Sequence, residues 1–208
     1  MIKGFIDRLF GERGQQEVIG WELDKETKIE DLCFVVFDTE TTGLDLNKDE
    51  AISIGAVKLE NFKIDLSKSF YALLKPTKEY DDSIKVHGIT PNELREARDR
   101  KHVCMEFLEY ARGCIFAGYF VHIDTSMIKK LVKEECRATL KAYSLELIDM
   151  LEHKDKVPTL EELVKEFKLP ISTQHNALED AYMTALVLLR LLKWGNYRKL
   201  KDLPIKKL

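Results

Sequence analysis

Cys33-Phe34-Val35-Val36-Phe37-Asp38-Thr39-Glu40-Thr41-Thr42-Gly43 is the stretch from which both fold and chemistry are read. Its first five residues are aromatic, β-branched or cysteine, the composition of a strand buried on both faces. Asp38 and Glu40 follow at its far end. Residues two apart on a strand point to the same face, so the two carboxylates aim at one point in space. Two like charges held together are costly unless a cation lies between them, and a divalent metal is the natural resolution.

Outward from this strand the pattern is α/β. A loop over 44–49 leads to a second strand at 51–59 and a third at 64–74, which ends before Pro76. Short connections make these three an antiparallel meander. Helices are expected at 91–98, with Thr90 as cap and Pro91 in the first turn, and at 102–112. A short buried strand at 114–120 precedes a helix at 125–135 with Met127, Ile128 and Leu131 facing inward. Another short strand follows at 145–151. Thr159 with Glu162 three positions on is a capping-box pattern, and the last long helix runs over 176–193 and stops at Gly195. Val121-His122-Ile123-Asp124 and His175-Asn176-Ala177-Leu178-Glu179-Asp180 place two more carboxylates, Asp124 and Asp180, near the starts of two of these helices.

The flanks read differently. Ile2, Phe5, Ile6, Leu9 and Phe10 form one apolar stripe on a short helix, and 11–16 is a hinge. Such a helix is too short to span a membrane, and its stripe suits docking on the body, on a second copy or on a partner chain. After Gly195 come Arg198, Lys199, Lys201, Lys206 and Lys207 against Asp202 alone, either a solvated end or an arm for a nucleic-acid backbone. The organisation is therefore an extension over 1–30, a main domain over 31–195 and a basic tail over 196–208.

The 208 residues suit one domain with extensions, and the net charge of −3 neither favours nor opposes a nucleic-acid substrate, since only a groove need be positive. Cys33, Cys104, Cys114 and Cys136 show no Cys-x-x-Cys spacing and read as buried reduced thiols of a cytoplasmic protein. There is no signal-peptide pattern. Glutamine is scarce and Lys and Glu are plentiful, a trait of hot-growing sources.

Asp38-Thr39-Glu40-Thr41-Thr42-Gly43-Leu44, then Asp124, then His175 five residues before Asp180, resembles the DEDDh family of 3′–5′ exonucleases, and within it the proofreading (epsilon) subunits of bacterial replicative polymerases. Ala51-Ile52-Ser53-Ile54-Gly55-Ala56-Val57 and Val86-His87-Gly88-Ile89-Thr90 resemble family segments between the first two motifs. The resemblance implies a ribonuclease-H-like three-layer fold, with a mixed sheet flanked by helices. It implies two Mg²⁺ or Mn²⁺ ions, with Asp38 bridging both, Glu40 and Asp180 on the first, and Asp124 supporting the second through water. His175 is then the general base, its ordinary pKa of about 6.5 suiting it to accept a proton at neutral pH. Thr41, Thr42, Gly43, Leu44 and His87 would meet the 3′-terminal nucleotide of single-stranded DNA. Where many relatives carry His-Asn, this chain has Tyr119 and Phe120, with His122 just beyond as a core or supporting residue. Two alternatives stay open: a 3′–5′ exoribonuclease of the RNase T or oligoribonuclease kind, and a non-catalytic nucleic-acid or polymerase-docking module.

Overall fold

The run at 33–37 becomes the centre of a sheet because helices cover it on both sides. The computed structural model describes residues 17–78, 88–151, 156–170 and 176–208; the expected helix over 2–10, His87 and His175 lie outside the described residues. The strands are β1 (Glu17–Gly20), β2 (Cys33–Thr41), β3 (Ala51–Glu60), β4 (Lys63–Ile64), β5 (Phe70–Leu73), β6 (Ile115–Gly118), β7 (Ala138–Lys141), β8 (Tyr143–Glu146) and β9 (Ile205–Lys207). The helices are α1 (Pro91–Arg95), α2 (Arg100–Tyr110), α3 (Val121–Cys136), α4 (Leu160–Glu166) and α5 (Ala177–Trp194). The main sheet runs β4-β3-β2-β6-β8-β9, with β5 also on β3, while β1 and β7 pair separately in parallel. β2, β3, β4 and β5 form the expected antiparallel part, and β2, β6 and β8 are parallel.

Side-chain alternation along β2 builds two cores at once. Val35 and Phe37 join Phe107, Ile128 and Leu131 of α2 and α3, whereas Phe34 and Val36 join Met183, Val187 and Leu188 of α5. Phe37, Phe107 and Phe116 form a ring cluster with centroids 5.3 to 5.9 Å apart. A strand so packed can carry polar residues only at its end, where both layers give way. That is where Asp38 and Glu40 stand.

Local signals set most boundaries as expected. Thr90 and Thr159 each close a capping box with Glu93 and Glu162, and Asn176 caps α5 through a 2.9 Å bond from the Leu178 N–H. Several boundaries differ, among them the end of the helix expected at 91–98, which stops at Arg95. The third strand is split, because Asp65 accepts from Ser67 and winds residues 66–68 into a 3₁₀ turn. The strand expected at 145–151 ends at Glu146 and continues as a 3₁₀ turn over Leu147–Met150. The helix expected from residue 125 begins at Val121, since Phe120 adopts a left-handed conformation (φ 56°) that turns the chain straight out of β6.

The flanks correct the sequence reading more strongly. Residues 196–208 do not form a free tail: β9 pairs antiparallel with β8, and Leu200 and Leu203 are buried. The cations there face carboxylates, with Lys199 and Lys201 at 2.7 Å from Glu26 and Lys206 at 2.6 Å from Asp149. Within the expected extension over 1–30, the described residues 17–30 are hydrogen-bonded to the other flank. The Ile29 N–H donates to the Arg198 carbonyl and the Leu200 N–H to the Thr27 carbonyl, so the two flanks are laced together. The cysteine expectation also fails in part. Cys33 opens β2 and Cys114 precedes β6, so the parallel pairing of Phe34 with Ile115 sets their Cα atoms 4.5 Å apart, and the two are joined as a disulfide.

If the 196–208 segment belongs to the cooperative unit, Leu203→Ala should cost about 2–4 kcal/mol, as truncation of a buried leucine does. An unchanged denaturation midpoint would detach this segment from the folded body.

Candidate metal centre

Asp38, Glu40 and Asp180 meet at the carboxyl end of β2, with one oxygen from each lying within 4.8 Å of the others. The two β2 residues point to the α5 side, as their spacing of two requires. Directly after Glu40 the β2–β3 register shifts, a bulge that turns the chain away into the following loop. Asp180 comes from the first turn of α5, where the helix dipole favours an acid. An all-oxygen set of this kind fits a hard divalent cation and offers nothing to a soft one.

Gly55 makes this meeting possible. It pairs with Asp38 across the β2–β3 ladder, and a Cβ on it would lie 2.1 Å from the Leu178 backbone N and 2.2 Å from the Ala177 carbonyl carbon. The start of α5 thus presses onto bare backbone, next to Asp38. Tyr71 pairs with Gly55 on the other side. Burial holds the Tyr71 phenol above its ordinary range, against a hydrogen bond with Asn176, with the nearby Glu93 and Glu40 carboxylates adding to the rise.

Asp124 arrives from the opposite layer. It is only 7% exposed, and lies in the first turn of α3 instead of capping it. Its Oδ1 accepts from the Thr39 N–H at 2.9 Å and the Thr39 hydroxyl at 2.7 Å. Thr39, between Asp38 and Glu40, faces the α3 side and so ties this carboxylate to the strand end. Glu146, at the end of β8, accepts from the Phe120 N–H at 2.9 Å and lies 3.6 Å from His122 Nδ1. His122 is 69% exposed, which removes the core reading and leaves the supporting one, beside Glu146. Phe120 is a bulky residue in a left-handed turn, a conformation that an asparagine adopts more readily.

The loop after β2 is tied down at both ends. The Thr41 hydroxyl donates to the Gly43 carbonyl at 2.8 Å, and the Thr42 hydroxyl donates to Asp49 Oδ1 at 2.9 Å. Asp49 also accepts from the Asp45 N–H at 2.8 Å, while Lys130 Nζ of α3 donates to the Asp49 carbonyl at 2.6 Å. A Cβ at Gly43 would lie 2.5 Å from the Asp49 carboxylate. Leu44, 79% exposed, is the apolar tip of this otherwise polar turn.

The electrostatics are those of crowded acids. Burial, then the charges of Asp124, Glu40 and Asp180, raise the Asp38 carboxyl well above its ordinary range. Burial pushes Asp124 up to about 7 against the Thr39 hydrogen bonds, and Glu146 adds to the rise. Glu146 is itself raised by burial. The sequence therefore placed Asp38, Glu40, Asp124, Asp180, Thr41, Thr42, Gly43 and Leu44 around one end of the sheet. It missed Thr39, Glu146, Tyr71 and the role of Gly55. Only Thr39, next to two motif acids, carried a signal of its own: its hydroxyl must face away from them.

A family profile named RNase_T and described as "Exonuclease" matches residues 35–188. The DNA polymerase III PolC-type protein of Caldanaerobacter subterraneus is 33% identical over 177 residues, which are 83% of this chain and 12% of that protein. The DNA polymerase III epsilon subunit of Aquifex aeolicus is 32% identical over 184 residues, covering 83% of this chain and 90% of the subunit. E. coli exonuclease I, solved in complex with a dT13 oligonucleotide, superposes with a TM-score of 0.63 at 18% identity, over 79% of this chain and 43% of exonuclease I. That superposition shows a shared ribonuclease-H-like fold.

Two stability measurements follow from the site. A carboxyl raised on folding contributes stability that is whole below its unfolded value and lost as pH rises through its folded one. Asp124, raised from 3.8 to about 7, should therefore destabilise metal-free protein progressively across that interval. In EDTA the fall in Tm over this range should be smaller in Asp124→Asn than in wild type, and Mg²⁺ or Mn²⁺ should raise the wild-type Tm more at pH 7.5 than at pH 5. Parallel pH curves for the two proteins would remove Asp124 from the charge cluster. Separately, Phe120→Asn should relieve a left-handed penalty of roughly 1–2 kcal/mol and raise Tm by about 2–8 °C. A lower Tm would mean that the edge contact with Tyr119 (centroids 5.1 Å apart) outweighs that penalty.

Proposed function

We propose that this chain, which belongs to the RNase T exonuclease family, removes nucleoside 5′-monophosphates from the 3′ ends of single-stranded or frayed DNA. The observation that carries the reading is the convergence of Asp38, Glu40 and Asp180 within 4.8 Å, with Asp124 beside them on the Thr39 tether. These carboxylates would hold two Mg²⁺ or Mn²⁺ ions, with Asp38 shared between the pair. When bound, such ions supply the charge that activates an attacking water and stabilises the departing 3′ oxygen of an in-line displacement.

The chain's own residues do the remainder. His175 takes the proton of the attacking water, five residues ahead of Asp180 and next to the Asn176 cap. Thr41 and Thr42 commit their hydroxyl protons to Gly43 and Asp49, so they hold the loop in shape and offer the terminal sugar backbone and lone pairs. Leu44 then packs against the terminal base as an apolar wedge, and His87 flanks the incoming strand. The likeness to polymerase III epsilon and PolC-type proteins supports a proofreading role beside a replicative polymerase in the cytoplasm. No helix among the described residues is long and apolar enough to cross a membrane.

On 5′-labelled single-stranded DNA the protein should produce a ladder shortening from the 3′ end, be blocked by a 3′-phosphate, and stop in EDTA. Asp38→Ala should abolish cleavage. His175→Ala should reduce turnover by about 10²–10⁴-fold with little change in metal affinity, whereas His122→Ala, altering an exposed side chain, should cost far less. The reverse ranking of the two histidines would refute the mechanism. Cutting of circular single strands would make the protein an endonuclease, and a strong preference for matched RNA would move it to the exoribonucleases.

A further inference from the structure

The two remaining cysteines are also a pair. Cys104 is buried on α2, and Cys136, the last residue of α3, is half-buried, with their sulfurs 3.3 Å apart. Four cysteines allow three pairings, and this fold brings together only Cys33 with Cys114 and Cys104 with Cys136. The two loops so defined interlock, because Cys104 lies inside the 33–114 loop and Cys136 outside it. The packing of α2 against α3, to which Phe107, Ile128 and Leu131 contribute, already holds the two sulfurs in contact.

We propose that Cys104 and Cys136 form a second, oxidisable cross-link, closed by exchange with a low-molecular-weight disulfide. The Cys136 thiolate attacks one sulfur of the small disulfide, whose S–S bond breaks to release one thiolate and leave a mixed disulfide on Cys136. Cys104 then loses its proton to solvent and attacks the Cys136 sulfur, releasing the second thiolate. Two electrons leave the cysteine pair, and the reagent is recovered as two thiols. The order follows from exposure, since Cys136 is the accessible partner. It also follows from proton placement: the hydrogen bond from Cys104 and the nearby Lys101 lower the Cys136 thiol, while that same contact and burial raise Cys104. Besides Lys101, the charged groups near the pair are Arg100, Glu135 and Glu17.

The test does not depend on exonuclease activity. Full-length protein is reduced, freed of reductant, incubated with glutathione disulfide, alkylated and digested with trypsin without further reduction. Cleavage after Lys101, Arg112, Lys133 and Arg137 leaves each cysteine on its own peptide. The expected result is one species joining the Cys104 and Cys136 peptides, lighter by two hydrogens than their sum, with no alkylated form of either. Tm should rise by roughly 5–10 °C over protein held with only the Cys33–Cys114 bridge. Cys104→Ser should stop the reaction at a glutathione adduct on Cys136, which separates failure to react from failure to close. Recovery of both cysteines alkylated beside an intact Cys33–Cys114 bridge would overturn the proposal. So would a stable glutathione adduct on wild-type Cys136, or a link between Cys104 and Cys33.

Discussion

Mutual repulsion among carboxylates at the end of one buried strand is the constraint on which the rest of this structure depends. Asp38 alone is costly where it stands, because burial and three neighbouring acids all oppose its charge. Packing elsewhere must outweigh that cost, and both layers of the fold contribute. The ring cluster of Phe37, Phe107 and Phe116 fixes the strand from one side, and the long apolar face of α5 fixes it from the other. The site is thus a local unfavourable charge arrangement imposed by favourable burial, as a site preorganised for a cation must be.

The two faces of β2 divide the task. Even-numbered residues look toward α5 and meet Asp180, whereas Thr39 looks toward α3 and holds Asp124 by two hydrogen bonds. A single strand end therefore gathers acids from both helical layers without either helix crossing the sheet. Glu146 extends the same logic outward: its carboxylate secures the turn at Phe120 that starts α3. An asparagine would take that left-handed turn with little strain. Here the turn is kept with an aromatic residue, and the neighbouring Tyr119 hydroxyl donates to the Pro158 carbonyl.

What was legible in the sequence was whatever a short window records. The apolar run before Asp38, the threonine caps at 90 and 159 and the Gly195 stop are local, and each appears where the pattern put it. The features that escaped depend on distant pairing. Residues 17–31 and 196–208 look like polar ends until each supplies the other's hydrogen-bond partners. Cys33 and Cys114 look unrelated until β2 and β6 lie side by side. The start of α3 lay four residues earlier than expected because no propensity rule puts a phenylalanine in a left-handed turn. Glu146 and Tyr71 carried no motif at all, and matter only through the neighbours that the sheet gives them.

Gly55 has a consequence for the order in which the protein comes into being. The acids from β2 are synthesised well before Asp180, and they acquire this third companion only when α5 settles against the bare backbone of that glycine. Until then the strand end holds two acids and no complete cluster. A nascent chain still lacking α5 therefore cannot carry the full cluster, which is completed in the step that docks this helix. For a protein whose proposed work is to shorten nucleic acid, that delay keeps the incomplete molecule harmless while it is being made.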